Sequence, residues 1–329
     1  MTPLADESAL LVELRGLAAQ GRFRQIVGRL ADVPPEILDD RAPFALIAAE
    51  SHGRLGDYAS ADRWATHALE LARTRLERAT ELRATHYRGA IALQLGQVEE
   101  ADALFHAALE LARATSDPLA QARCFNNLGI LSNLRGDAGP ALASYQLALA
   151  AYQQAGSESG MAETYHNIAI SWRALGNPSR ALEATDHAVR LARRQADDSL
   201  LGLMLVGRAD AHLALGDLDL AAAELERATQ SYERVGFRAG MPEVWRIQAG
   251  VARARGDTAG AVALLERAAA TARAEGGAGG ANTLAEVERD LGAALEAHGD
   301  TAGARAARER ARRLFTQLGA QAAADQLPS

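Results

Sequence analysis

The chain has 329 residues, a composition that is 48% hydrophobic but only 5% aromatic, and a formal net charge of −7. Charges of both signs are interspersed, with no basic stripe for a phosphate backbone, which argues against direct nucleic-acid binding. The single cysteine, Cys124, excludes an intrachain disulfide and a multi-cysteine zinc site, and no apolar run approaches the ~18–20 residues of a bilayer span, so a soluble cytoplasmic protein without membrane insertion is expected.

Taken in chain order, Met1 to Leu17 is acidic and amphipathic, without the basic start and apolar core of a targeting signal. Residues 1–40 form an irregular first unit: Leu14 and Ile26 stand where later units carry small residues, and Pro34-Pro35 breaks the helix early. This unit is expected to be a degenerate N-terminal cap. From 41 to 274 the sequence becomes regular. Gly56, Gly96, Gly136, Gly176, Gly216 and Gly256 follow one another at intervals of 40. The interval loosens only at the ends, to Gly21 and Gly299, and the Gly-rich stretch Glu275–Asn282 absorbs the extra residues before Gly299.

Small residues keep this register. Five places after each marker Gly stand Ala61, Ala101, Ala141, Ala181, Ala221, Ala261 and Ala304, and twelve places after it Ala68, Ala108, Ala148, Ala188, Ala228, Ala268 and Ala311. Seven places before it stand Ala49, Gly89, Gly129, Ala169, Ala209, Ala249 and Gly292. Small side chains on helix faces let two backbones cross closely. The marker Gly suits the left-handed residue that ends a helix, and Asp57, Asp137, Asn177, Asp217, Asp257 and Asp300 suit the N-cap of the next. Each unit therefore reads helix, tight turn, helix. Residues 275–329 should supply a final unit and a capping helix, the tail Ala311 to Leu327 hiding the terminal apolar face.

The segment "CFNNLGILSNLRGDAGPALASYQLALAAY" (Cys124 to Tyr152) carries Leu-Gly, Gly-Asp, Ala and Ala-Leu at offsets that resemble tetratricopeptide repeats, and "RGAIALQLGQVEEADALFHAALELA" (Arg88 to Ala112) keeps the same frame with Gly-Gln in place of Gly-Asp. The resemblance extends over nearly the whole chain. It is nearest to the 40-residue form found in kinesin light chains and bacterial regulators, since the common repeat is about 34 residues. It implies an all-α fold: a right-handed superhelical solenoid of antiparallel helix pairs, about eight units, with longer helices or longer inter-repeat turns.

By the same resemblance, the first helix of each pair lines a concave wall, with inward residues 13, 10, 9, 6 and 3 places before the marker Gly. These offsets give Arg83, His86 and Tyr87 in the third unit, and Arg123, Asn126, Asn127 and Asn133 in the fourth. They give Glu163, His166, Asn167 and Arg173 in the fifth, Asp210 among less polar residues in the sixth, and Arg246 beside Glu243 in the seventh. Asn both donates and accepts, so Asn127 and Asn167 suit the backbone of an extended ligand, and the arginines suit carboxylates. An acidic and apolar extended protein or peptide segment is the expected partner. The plain alternative is a solvated helix face. Trp64, Trp172 and Trp245 are expected to pack between helices, as is Cys124.

No phosphate loop, Cys-x-x-Cys, His-Glu-x-x-His or Gly-x-Ser-x-Gly motif occurs. Gly276–Gly280 lacks a preceding strand and reads as a connector. The histidines are scattered, and Glu163 with His166 is better read as a surface pair than an acid–base couple. No catalytic residue, cofactor or metal is expected. A non-catalytic binding scaffold follows. A second reading is the ligand-sensing subunit of a bacterial regulator that acts through a separate output protein, since the repeats leave no room for an output domain. A third is a self-assembling solenoid, with a monomer or dimer both open. The Ala- and Arg-rich composition points to a GC-rich bacterial source.

Overall fold

The structure, a computed structural model, describes residues 3–34, 38, 40–275 and 278–328. Among them there is no strand. Contact density divides the chain into unit 1, residues 1–120, and unit 2, residues 121–329. Pro35 of the early break, and Gly276 and Gly277 of the connector, lie outside the described residues.

Unit 1 holds α1 (Pro3–Ala19), α2 (Phe23–Ala31), α3 (Ala42–Arg54), α4 (Tyr58–Thr74), α5 (Arg78–Gln94) and α6 (Val98–Ala114). The boundary falls near the start of α7 (Pro118–Leu134), which opens unit 2. There follow α8 (Ala138–Ala155), α9 (Glu158–Ala174), α10 (Pro178–Arg194), α11 (Asp198–Leu215), α12 (Leu218–Val235), α13 (Met241–Ala254), α14 (Thr258–Glu275), α15 (Ala278–His298), α16 (Thr301–Gln317) and the short α17 (Gln321–Asp325). The fold is an all-α solenoid of consecutive antiparallel pairs. Apart from α3 and α13, which run 13 and 14 residues, the helices of the regular pairs run 17 or 18, so the 40-residue period is met by longer helices and not by longer turns. The Gly-rich stretch is already helical from Ala278, which shortens the expected connector.

Every marker glycine adopts the left-handed conformation, with φ from +68° to +95° between Gly56 and Gly299. The next residue's N–H then reaches back to close the turn, as in Asp57 to the His52 carbonyl at 3.0 Å and Asp137 to the Ser132 carbonyl at 2.8 Å. The turns between pairs have the same form. There the left-handed place falls to Leu76, Ser116, Gly156, Ala196 and Gly236, so from Gly56 to Gly256 a left-handed residue recurs every 20 positions. The N-caps are mixed. Asp57, Asn177, Asp257 and Asp300 accept the expected backbone N–H at 2.8–3.1 Å, whereas Asp137 and Asp217 make no such bond. Asp217 instead faces His212 Nδ1 at 3.4 Å.

The small-residue register is the packing register. Ala61 through Ala304 and Ala68 through Ala311, the two alanine series, are all buried, and so is the series from Ala49 to Gly292. Rings fill the space that small residues leave: Tyr145 is fully buried against Gly129, where no Cβ would fit, and Phe105 lies in the same relation to Gly89. In the first pair Leu14 and Ile26 are fully buried with Phe44, so its larger residues build a local core at the array's end. Cys124 is buried. Trp64 packs in the core of unit 1, while Trp172 and Trp245 carry Arg180 and Arg267 over their faces at 4.5 and 4.0 Å.

Candidate functional site

The first helix of each pair carries the polar positions in question. In unit 1, Arg83 of α5 donates to Glu50 of α3 at 2.8 Å. His86 lies against Phe105 with centroids 5.6 Å apart. Tyr87 donates its hydroxyl to the Ala49 and Glu50 carbonyls, and burial, with Glu50 nearby, pushes its phenol up to about 12. Tyr87 thus staples α5 to α3 through the space beside Gly53.

In unit 2 the expected residues differ in burial and in the bonds they make. Asn126 is buried, and its carbonyl accepts from Thr164 and from Asn167 Nδ2, both at 3.2 Å. Asn133 donates to the Tyr145 hydroxyl at 3.1 Å and accepts from Ser171 at 2.9 Å. These amides bind repeat to repeat, so the asparagines on α7 and α9 already spend much of their capacity within the wall. Arg123 and Glu163 are exposed, and Asn127 is half-buried.

Further along, the wall is charged. Arg173 of α9 pairs with Asp210 of α11. Arg246 of α13 bonds Glu243 at 2.8 Å and Asp290 of α15 at 3.0 Å. Arg289 donates to Asp290 at 3.0 Å, and Thr283 to Glu243 at 3.2 Å. Burial opposes the Arg246 charge, but Glu243, Asp290 and Glu286 outweigh it and raise its pKa. The same balance holds Asp290 below the usual carboxylate range, Arg246 and Arg289 overcoming burial. Arg173 differs: burial, then Arg246 and Arg289, disfavour its charge and lower its pKa despite Glu286 and Glu243. His166 is held neutral, its pKa lowered to about 4 by burial and then by Arg173. Its Nδ1 is buried without a hydrogen-bond partner beside Gly207, whose missing side chain makes room for the ring.

The structure therefore brings His166, Arg173, Asp210 and Arg246 into one charged cluster, together with Glu243. It adds Glu286, Arg289 and Asp290, which were not among the expected contacts. The signal for them was present: they stand 13, 10 and 9 places before Gly299, the offsets already applied to earlier units. Among the described residues no group of three or more His, Cys, Asp or Glu is placed to hold a metal ion. No described helix is long and apolar enough to cross a membrane. The lining can offer hydrogen bonds and paired charges to a ligand.

Tetratricopeptide-repeat family models match residues 80–154 and 161–194, and these segments are tetratricopeptide repeats. No curated protein matches the chain. Among solved structures, the Rap conjugation gene regulator of the plasmid pLS20 in complex with the Phr* peptide aligns with a TM-score of 0.65 at 14% identity, over 84% of this chain and 76% of that one. A Rap protein complexed with Competence and Sporulation Factor gives 0.62 at 16% identity, over 98% and 95% of the two chains. NprR in complex with its cognate peptide NprX gives 0.60 at 15% identity, over 93% and 87%. At these identities the likeness is one of fold.

Proposed function

In a chain built on tetratricopeptide repeats, we propose that unit 2 is a non-catalytic receptor for an extended protein or peptide segment. The observation that carries this reading is the shared lining. Residues from α9, α11, α13 and α15, one helix per repeat, present paired charges to a common space. A lining of this kind suits a chain laid across successive repeats, since each repeat can hold one or two side chains or a peptide group. The exposed Arg123 and the half-buried Arg173 are the groups we assign to ligand carboxylates, with Asn127 on the ligand backbone. The structural likeness to Rap and NprR proteins in complex with peptides supports the same class of ligand.

A second reading has support in those same neighbours, one of them a conjugation gene regulator. Here the receptor is the sensing part of a bacterial regulator and its output lies on another chain. Both readings place it in the cytoplasm.

A peptide-display library panned on the whole protein tests the receptor. Selected peptides are titrated by fluorescence anisotropy against the wild type and against Arg123→Ala/Asn127→Ala and Arg173→Ala, after circular dichroism has shown equal helicity. A loss of tenfold or more in the variants is expected. Peptides that bind all three proteins alike would move the site away from this wall.

A further inference from the structure

Unit 2 does not end as an open stack. Leu318, Ala320, Ala324 and Leu327, around α17, are buried in one apolar cluster with Ala285, Ala311 and Phe315 of the last pair. Leu134, the last residue of α7, packs on that same cluster. A Cβ built on Gly136, in the turn that follows, would lie 3.1 Å from the Cβ of Ala322. The end of the unit's last repeat thus rests on the first turn of its first repeat.

The charged lining carries the mark of the same closure. Arg173 on α9 feels Glu286 and Arg289 on α15, three repeats on. Helices packed side by side are about 8–10 Å apart, so in a straight stack these groups would stand roughly 25–30 Å from one another. They interact because the array bends back on itself. The side chains of Arg173, Arg289 and Asp290 keep 34%, 39% and 30% of their surface accessible, so the space between them is not filled by packing.

We infer that unit 2 is a closed ring, sealed by α17 against the Leu134–Gly136 turn, and that its lumen accepts a short free peptide by its end and rejects the same sequence held as an internal loop of a folded protein. This rests on the receptor reading above and narrows its partner. A sealed ring offers no lateral slot, so an internal segment can enter only when the seam parts. A free end threads past it. Long charged side chains meet across the lumen, so the entering chain is extended, each charged group on it exchanging with an ion pair of the lining.

The test uses a peptide selected in the display experiment. It is presented free and, in parallel, grafted between two strands of a stable carrier domain. Three forms of the full chain are compared: wild type, Ala322→Glu to open the seam, and Gly136→Cys/Ala322→Cys in a Cys124→Ala background to lock it. The Cβ separation of 3.1 Å is close to the 3.5–4.5 Å of disulfides, and because Gly136 holds φ +86° its cysteine is strained, so oxidation is read only after the reduced variant has shown wild-type helicity. The wild type should bind the free peptide at least a hundredfold more tightly than the loop. Oxidised, locked protein should keep the free peptide and lose the loop, with reduction restoring the wild-type pattern. Ala322→Glu, if helicity is retained, should bring the loop to within tenfold of the free peptide. Equal binding of loop and free peptide to the wild type would overturn the selection by the ring. Failure of the double-cysteine monomer to cross-link on oxidation would overturn the ring itself, with or without a ligand. A wild type that binds no peptide at all would instead defeat the receptor reading.

Discussion

Ala196 gives the sharpest check on the turn geometry. It is exposed, and it holds φ +51° in the turn between α10 and α11, where Gly156 and Gly236 occupy the equivalent places one repeat before and after. The left-handed conformation costs an L-residue roughly 1–2 kcal/mol, because Cβ crowds the following carbonyl oxygen. Glycine escapes that cost but loses about 0.5–1 kcal/mol through the greater freedom of its unfolded chain. Ala196→Gly removes only one exposed methyl, so the two terms decide the sign, and a net gain of about 0.5–1 kcal/mol is expected. Anywhere inside a helix the same substitution loses that much, so the direction is diagnostic. Urea titration followed by helicity at 222 nm measures the change. Hydrogen exchange of the amides between α10 and α11 locates it, since repeat arrays need not unfold in one step. Gly236→Ala is the reciprocal control and should lose about 1 kcal/mol. A loss of stability in Ala196→Gly with an unchanged urea slope would refute the account of these turns.

Gly129→Ala should cost about 2–3 kcal/mol, because the added methyl overlaps the fully buried Tyr145 ring; thermal denaturation reads it, and Gly139→Ala, in open space within α8, is the opposite control and should gain up to about 1 kcal/mol. Arg246→Ala leaves Glu243 with Thr283 and Asp290 with Arg289 as their remaining partners and should destabilise by about 2 kcal/mol, most of it recovered when the two acids become Gln and Asn in the same chain. His166 carries a pKa near 4 in the folded state, against about 6.5 unfolded. The unfolded chain therefore binds the extra proton between those values, and the stability held above pH 6.5 declines as pH falls toward 4. Discounted for the ring's partial exposure, this is about 1–2 kcal/mol, and His166→Leu should flatten that part of the stability profile.

The helix pairs were legible because the chain repeats one steric problem. A small residue is needed wherever two helices cross, so the alanine and glycine series had to share a register, and all of those positions are buried. The 20-residue half-period was hidden by Leu76, Ser116 and Ala196, which take a glycine-like conformation without being glycine. Nothing in a side chain's identity announces that its backbone is left-handed. The capping series failed at Asp137 and Asp217 for a related reason: a carboxylate in the right place still has to turn toward the helix, and the Asp217 side chain faces His212 instead. The site was legible as a set of offsets and not as a set of bonds. Asn126 and Asn167 were both placed on the wall, but the hydrogen bond between them joins residues 41 positions apart. Such a bond depends on how closely two repeats approach. Glu286, Arg289 and Asp290 were reachable by the same offsets from Gly299, across the irregular interval that precedes it.

The seam at Ala322 has a further meaning for how the molecule is assembled and how it tolerates change. Elsewhere in unit 2 each repeat meets mainly its neighbours, so a small error in one crossing angle would pass unnoticed in an open array. The contact between Leu134 and the α17 cluster joins residues more than four repeats apart, and it forms only if the angles of all the intervening joints sum to one value. That makes it a vernier on the curvature of the whole unit, closing last in folding because its loop contains nearly everything else. Substitutions that shift any single joint, however distant from α17, should then be felt first as a looser seam, before any repeat has melted.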